Sequence, residues 1–102
     1  MIAETSGRLR ILVDGDACPV KDEVYKVALR HKTPVLVVAN SWFRVPAHPL
    51  FAFKLVDDTF DAADDHIAEQ ASPASIVITA DIPLADRCLK ARATVLDPRG
   101  KP

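Results

Sequence analysis

The sequence predicts an α/β fold, a mainly parallel five-stranded sheet with helices on both faces. Short apolar runs bounded by turn residues alternate along the chain with segments of helical periodicity, as in consecutive βαβ units. The run at 35–39 is apolar throughout, which is typical of a parallel strand buried on both faces. A length of 102 residues predicts a single domain over 1–102.

The first half of the chain contains three predicted strands and one helix. The first strand covers 9–13, and a helix follows from about Pro19, whose missing N–H is tolerated in a first turn. The spacing of its apolar residues predicts a buried stripe made of Val20, Val24, Val27 and Ala28. The second strand is 35–39 and the third is 51–56. Only about eleven residues without helical periodicity separate these two strands, which is short for a parallel crossover and leaves the direction of the third strand open.

The second half repeats the alternation of helix and strand. A helix over 60–71 has an apolar stripe of Phe60, Ala63, Ile67 and Ala71. The fourth strand is 75–79, and the next helix opens at Ile82 and Pro83 and reaches about Arg92. Its inward residues are Leu84, Cys88 and Ala91. The fifth strand, 94–96, is stopped by the turn residues that follow it.

Composition excludes several classes of protein. The net charge of −1 provides no overall attraction to nucleic acid or to an acidic membrane, so any basic surface must be local. No run of 18 apolar residues is present, and the N-terminal segment lacks the pattern of a signal peptide, so we expect no membrane partner. Cys18 and Cys88 have neither zinc-site nor disulfide-framework spacing, and a reduced cytoplasm is the expected location.

Aspartates gather where strands end. In an open α/β sheet, ligands bind outside the carboxyl ends of the strands. Two carboxylates about 4 Å apart repel by about 4 kcal/mol at an effective dielectric constant near 20, so such a cluster predicts a bound cation, and oxygen ligands favour Mg²⁺ or Mn²⁺. The alternative for any single aspartate is ordinary turn or helix-capping chemistry. The residues concerned are Asp14 and Asp16 after the first strand, Asp81 after the fourth, and Asp61, Asp64 and Asp65 in the first turn of the helix between the third and fourth strands.

Polar and aromatic residues follow the second strand at the same edge of the sheet. Asn40 and Ser41 are candidates to bind a phosphate oxygen. Trp42, Phe43 and Arg44 combine aromatic rings with a cation, a pairing that can stack a base and hold a phosphate. The alternative is that Trp42 and Phe43 cover the edge of the sheet. The expected partner is RNA or another nucleic acid.

Several sequence blocks resemble the YaiI/YqxD-type family of uncharacterised bacterial proteins. They are Val-Asp-Gly-Asp-Ala-Cys-Pro-Val-Lys-Asp-Glu at 13–23, Val-Ala-Asn-Ser at 38–41 with Arg-Val-Pro at 44–46, Phe-Asp-Ala-Ala-Asp-Asp at 60–65, Thr-Ala-Asp-Ile-Pro-Leu-Ala at 79–85 and Leu-Asp-Pro-Arg-Gly at 96–100. The family is regarded as PIN-like, a fold of metal-dependent ribonucleases. Its members usually continue beyond the last block, so this chain is expected to be shorter at its C-terminus.

The resemblance implies the strand order 3-2-1-4-5, which places Asp14 beside Asp81. In PIN-like nucleases, acids after the first strand, before the fourth and after the fourth hold the metal. By position this implies a metal site of Asp14, Asp16, Asp61, Asp64, Asp65 and Asp81. Thr79 matches the hydroxyl residue that precedes the aspartate of the fourth strand.

The predicted function is a Mg²⁺- or Mn²⁺-dependent phosphodiesterase with Asp14, Asp16 and Asp81 in its catalytic centre and Asn40, Ser41, Arg44 and Thr79 binding the substrate. One alternative is a non-catalytic receiver-type signalling domain, in which Asp57 would be the modified residue, although no lysine follows the fifth strand. A haloacid-dehalogenase-like phosphatase shares the Asp-x-Asp spacing, but its second acidic pair should follow the threonine block and here precedes it. The remaining alternative is a module that binds metal or nucleic acid without turnover.

Overall fold

The computed structural model describes residues 9–17, 21–42, 44–57 and 62–98. The elements in these ranges are β1 (Arg10–Asp14), α1 (Lys21–His31), β2 (Val35–Ala39), β3 (Phe51–Leu55), α2 (Ala62–Gln70), β4 (Ser75–Ile78), α3 (Ile82–Lys90) and β5 (Thr94–Leu96). A 3-10 turn, Gly15–Ala17, follows β1 directly. All strand pairs are parallel, in the order β3-β2-β1-β4-β5. The predicted fold class and strand order are therefore confirmed.

Hydrophobic residues form one core on each face of the sheet, because successive side chains of a strand point to opposite faces. Ile11 and Val13 of β1 belong to the core that contains Tyr25 and Ala28 of α1. Leu12, between them, belongs to the core on the other face. That second core also contains Val38, Ile67, Val77, Leu84, Cys88 and Ala93. The helices thus cover both faces, α1 on one and α2 with α3 on the other.

The predicted stripe of α1 is wrong at Val27, whose exposed fraction is 44%. Ala28 is buried as predicted, and Tyr25, which the predicted stripe did not include, is also buried. The Tyr25 ring lies 5.0 Å from the ring of Phe51, and the area that an aromatic ring buries determines which side of the helix faces the sheet. Successive helix residues are about 100° apart, so Val27 lies about 130° from the direction midway between Tyr25 and Ala28 and faces solvent. Val20 lies outside the described residues.

The third strand is parallel to the second, with Val35 opposite Phe51. The residues at 40–50 connect them without a helix of their own in the described part. An extended chain advances about 3.3–3.6 Å per residue, and a five-residue strand is about 17 Å long, so this segment can return to the start of a neighbouring strand. Val45 and Leu50 pack against the core on the face of the sheet that α1 covers. The Leu50 carbonyl accepts a hydrogen bond of 2.8 Å from the Val35 N–H.

The inward residues of the last two helices are largely as predicted. Ile67, Leu84 and Cys88 are fully buried. Ala63 and Ala71 pack partly buried against the same core, whereas Phe60 lies outside the described residues. Helix α3 ends at Lys90, two residues before the predicted end, because Arg92 adopts a left-handed backbone conformation with φ 69°. No helix in the described ranges is both long and apolar enough to cross a membrane.

The Cys88 thiol is expected to be protected from reagents. Burial raises the pKa of Cys88, Arg87 opposes this rise and Asp64 adds to it. In a Cys18→Ser variant, Cys88 is the sole thiol. At about pH 8 we expect a thiol reagent to modify the folded variant more than about tenfold more slowly than the same protein in urea, measured by absorbance, because both burial and the raised pKa suppress the thiolate. Equal rates for the folded and the urea-unfolded protein would show that the reagent reaches Cys88 in the folded state.

Candidate functional site

The candidate site lies at the edge of the sheet where all five strands end, called the carboxyl edge below. Strands β1 and β4 are neighbours, and Val13 pairs with Ile78. Asp14, the last residue of β1, and Thr79, which follows β4, are one residue beyond that pair. The chain leaves β1 and β4 toward opposite faces of the sheet, and such switch points are where open α/β sheets bind ligands.

A chain of hydrogen bonds joins Asp14, Thr79 and Asp81. The Thr79 hydroxyl donates to Oδ2 of Asp14 at 2.7 Å, and the Asp81 backbone N–H donates to Oγ1 of Thr79 at 3.0 Å. Asp14 and Thr79 are 4% and 3% exposed. A buried carboxylate requires hydrogen-bond partners, and a hydroxyl donor to a charged oxygen forms a strong and oriented bond. The structure thus places the Asp81 backbone one bridging hydroxyl away from the Asp14 carboxylate at the carboxyl edge.

Asp81 has a structural role as well as its place at this edge. Its Oδ1 accepts a hydrogen bond of 2.9 Å from the Leu84 N–H, and its extended backbone, φ −84° and ψ 114°, makes it the N-cap of α3. Pro83 lies in the first turn of the helix, where no N–H is needed. The cap fixes the orientation of the Asp81 carboxylate, so the start of α3 positions the carboxylate oxygens.

Two substitutions of Asp81 distinguish its role as a helix cap from the effect of its negative charge. Asp81→Ala is expected to lower the free energy of unfolding by about 1 kcal/mol, because the Leu84 N–H loses its hydrogen-bond partner. Asp81→Asn is expected to lower it much less, because asparagine caps a helix about as well as aspartate. Urea titrations followed by circular dichroism measure both values. A loss for Asp81→Asn as large as that for Asp81→Ala would contradict a capping role.

Asp16 links the turn after β1 to the end of β2. Its Oδ2 accepts a hydrogen bond of 2.8 Å from the backbone N–H of Asn40. Asn40, Ser41 and Arg44 are exposed, so the residues predicted to contact substrate lie on the surface where β2 ends. Asp16 is itself exposed and belongs to the carboxyl edge through this bond.

The acids at the start of α2 face α3. Asp65 forms an ion pair of 2.9 Å with Nη1 of Arg87, and both side chains are about half exposed. Asp64 lies close enough to Cys88 to raise the pKa of that thiol. Asp61 lies outside the described residues. In the part of the chain that the structure describes, no three His, Cys, Asp or Glu side chains form a group that could hold a metal ion, so these ranges do not contain a closed carboxylate cage.

Sequence reasoning did not identify two features near this edge. The Asp65–Arg87 ion pair depends on how α2 packs against α3, and no local pattern signals it. An open groove of about 340 Å³ separates the end of β3 from α2, and its lining of Lys54, Leu55, Val56, Asp57, Ala62, Asp65, His66 and Glu69 carries both signs of charge. A groove of this kind likewise depends on packing between elements that are distant in sequence.

The strand order argues against the receiver-type alternative. Receiver domains follow the order 2-1-3-4-5, in which the first and third strands are neighbours. Here β3 is at the edge of the sheet and β2 separates it from β1. Asp57, which follows β3, therefore does not adjoin Asp14 across neighbouring strands as that alternative requires.

Comparisons with known proteins support the resemblance that the sequence blocks indicate. Residues 12–102 match the family model described as the uncharacterised YaiI/YqxD family. A protein of Sphingopyxis alaskensis named "UPF0178 protein" is 65% identical over 92 residues, which is 90% of this chain and 60% of the relative. A "UPF0178 protein" of Rhodopseudomonas palustris strain BisB5 is 62% identical over 93 residues, which is 91% of this chain and 57% of the relative.

The chain spans about six-tenths of the length of these curated relatives. No solved structure matches it significantly. The family model covers nearly all of the described residues, including residues 12–14 of β1 and all of β4. The chain belongs to the uncharacterised YaiI/YqxD family.

Proposed function

We propose that the chain hydrolyses phosphodiester bonds of RNA or another nucleic acid with Mg²⁺ or Mn²⁺ held at Asp14. The observation that carries the proposal is the hydrogen-bonded chain from the Asp81 backbone through Thr79 to Asp14. Its Thr79–Asp14 bond joins residues 65 positions apart in sequence at an edge where such sheets bind ligands. The sequence blocks resemble the YaiI/YqxD family, and the expectation that this family is PIN-like, a fold of metal-dependent ribonucleases, supports the same reaction.

The donor chemistry of this edge fits the proposed cation. Mg²⁺ takes oxygen ligands in an octahedron and keeps several waters, so one or two protein carboxylates suffice and no closed cage is needed. Asp14 and Asp81 would be the carboxylate ligands, and Asp16 would act through a water. A bound divalent cation supplies a water of lowered pKa and neutralises charge that develops at phosphorus.

The protein's own groups would position the reacting parts. Thr79 holds one oxygen of Asp14 in place, and the N-cap bond holds one oxygen of Asp81, so little reorganisation accompanies binding. Asn40 and Ser41 are exposed donors for a phosphate oxygen. Arg44, also exposed, supplies the local positive charge that a chain of net charge −1 needs in order to hold a phosphate backbone.

The test is cleavage of a labelled single-stranded RNA by the purified chain, followed on a denaturing gel. We expect cleavage with Mn²⁺, none with excess EDTA, and recovery when Mn²⁺ exceeds the chelator. Cleavage that persists in EDTA, or no cleavage with either Mn²⁺ or Mg²⁺, would contradict the proposal.

A further inference from the structure

Trp42 is an exposed aromatic side chain close to the candidate site. It is the sole tryptophan of the chain, and the residue is 69% exposed. Exposing a large aromatic ring forgoes the burial that favours aromatic residues in cores and interfaces. The alternative considered for this residue, that it covers the edge of the sheet, requires a buried ring and does not agree with this exposure.

A hydrogen bond connects the segment that contains Trp42 to the carboxyl edge of the sheet. The bond from the Asn40 N–H to Asp16 anchors this segment two residues before Trp42. Ser41 and Arg44, on either side of Trp42 in the sequence, are also exposed. An exposed ring with a cation and hydrogen-bond donors along one short segment is the combination with which proteins hold an unpaired base and its adjoining phosphate.

We propose that Trp42 stacks on an unpaired base and thereby makes this site select single-stranded nucleic acid over duplex. The faces of paired bases inside a helix are covered by their neighbours, whereas a single strand can offer a base face to a protein ring. This inference rests on the proposed function because it concerns the substrate of the same edge. Stacking is measurable without turnover, so the two proposals can fail separately.

Fluorescence excited at the long-wavelength end of the aromatic absorption band, where the one tyrosine absorbs little, reports only on Trp42, because no other tryptophan is present. A single-stranded RNA of about 12 nucleotides is titrated into the protein with Mg²⁺ at low salt, and the same RNA annealed to its complement is titrated in parallel. We expect the single strand to quench the fluorescence with saturation and the duplex to leave it nearly unchanged. Absence of quenching by the single strand, or equal quenching by the duplex, would overturn the inference.

The same samples run on a denaturing gel distinguish this inference from the proposed function. Saturable quenching by the single strand without cleavage supports stacking and overturns only the proposed turnover. Cleavage without quenching overturns stacking alone.

Variants give a second measurement that does not depend on tryptophan fluorescence. Base stacking on an aromatic side chain is worth about 1–3 kcal/mol, so Trp42→Ala is expected to weaken binding of a fluorescein-labelled single strand roughly 5- to 150-fold, read by anisotropy. Trp42→Phe is expected to stay within about threefold of the unchanged protein, because it keeps an aromatic face. The matched control is Leu89→Ala, which removes another exposed apolar side chain, 57% exposed on α3, and is expected to change nothing. Unchanged affinity in Trp42→Ala would overturn the inference.

Discussion

Replacing Asp14 with asparagine is expected to lower Mn²⁺-dependent RNA cleavage by at least about 100-fold. The substitution keeps the shape of the side chain and an oxygen that can accept the Thr79 hydroxyl, which the structure places 2.7 Å away, so the fold should persist. It removes the negative charge proposed to hold the cation. Metal assistance is worth several kcal/mol in hydrolysis, and each 1.36 kcal/mol is tenfold in rate. Initial rates on a labelled single-stranded RNA measure the effect.

Asp57→Asn is the matched control for charge. Asp57 is an exposed acid that follows β3, so its replacement makes the same change in net charge away from the Asp14–Thr79 bond. We expect its rate to stay within about twofold of the unchanged protein, because surface charges are screened by salt. Equal cleavage by the Asp14→Asn and Asp57→Asn variants would show that Asp14 does not carry the reaction.

Replacing Ile67 with alanine is expected to lower the free energy of unfolding by about 2–5 kcal/mol. Ile67 is the fully buried residue of α2 and packs in the core with Leu12, Leu84 and Cys88. Its truncation removes transfer free energy and leaves a cavity that the close-packed sheet face fills only in part. Helix α2 carries the acids that face α3, so by docking this helix on the sheet Ile67 also fixes the position of those acids.

The measurement is the midpoint of urea unfolding, with the slope of the transition as a check on two-state behaviour. Glu69→Ala, an exposed position of the same helix, is the control and is expected to change stability by no more than about 0.5 kcal/mol. If Ile67→Ala matched that control, α2 would not be docked through Ile67 as described.

The fold could be predicted because local pattern and tertiary structure agree along most of the chain. The apolar run of β2 is bounded by turn residues, and its predicted and observed limits are the same. The assignment of Val27 was wrong because periodicity gives the spacing of a stripe but not its rotation, which the large Tyr25 ring determines by packing on Phe51. The direction of β3 could not be predicted because its connection lacks a helix, and the packing of Val45 and Leu50 fixes its path.

The positions of Asp14 and Asp81 in the candidate site could be predicted from the sequence for the same reason. Asp14 and Asp81 follow strong strand patterns, so their place at strand ends is local information. Their link through the Thr79 hydroxyl requires β1 beside β4, which follows from the strand order rather than from either segment alone. The partner of Asp65, Arg87, is 22 residues away and meets it only after two helices pack, so sequence reasoning had no signal for it.

The most direct test of the account is the equilibrium binding of Mn²⁺, read from the electron paramagnetic resonance signal of the free ion. The account predicts saturable binding by the unchanged protein, loss of that binding in Asp14→Asn, and retention in Asp57→Asn. The same binding should raise the free energy of unfolding by about 2.7 kcal/mol when the free ion is at 100 times its Kd. Binding of the ion by Asp14→Asn with unchanged affinity, or no binding by the unchanged protein, would contradict the claim that Asp14 holds a metal at the carboxyl edge.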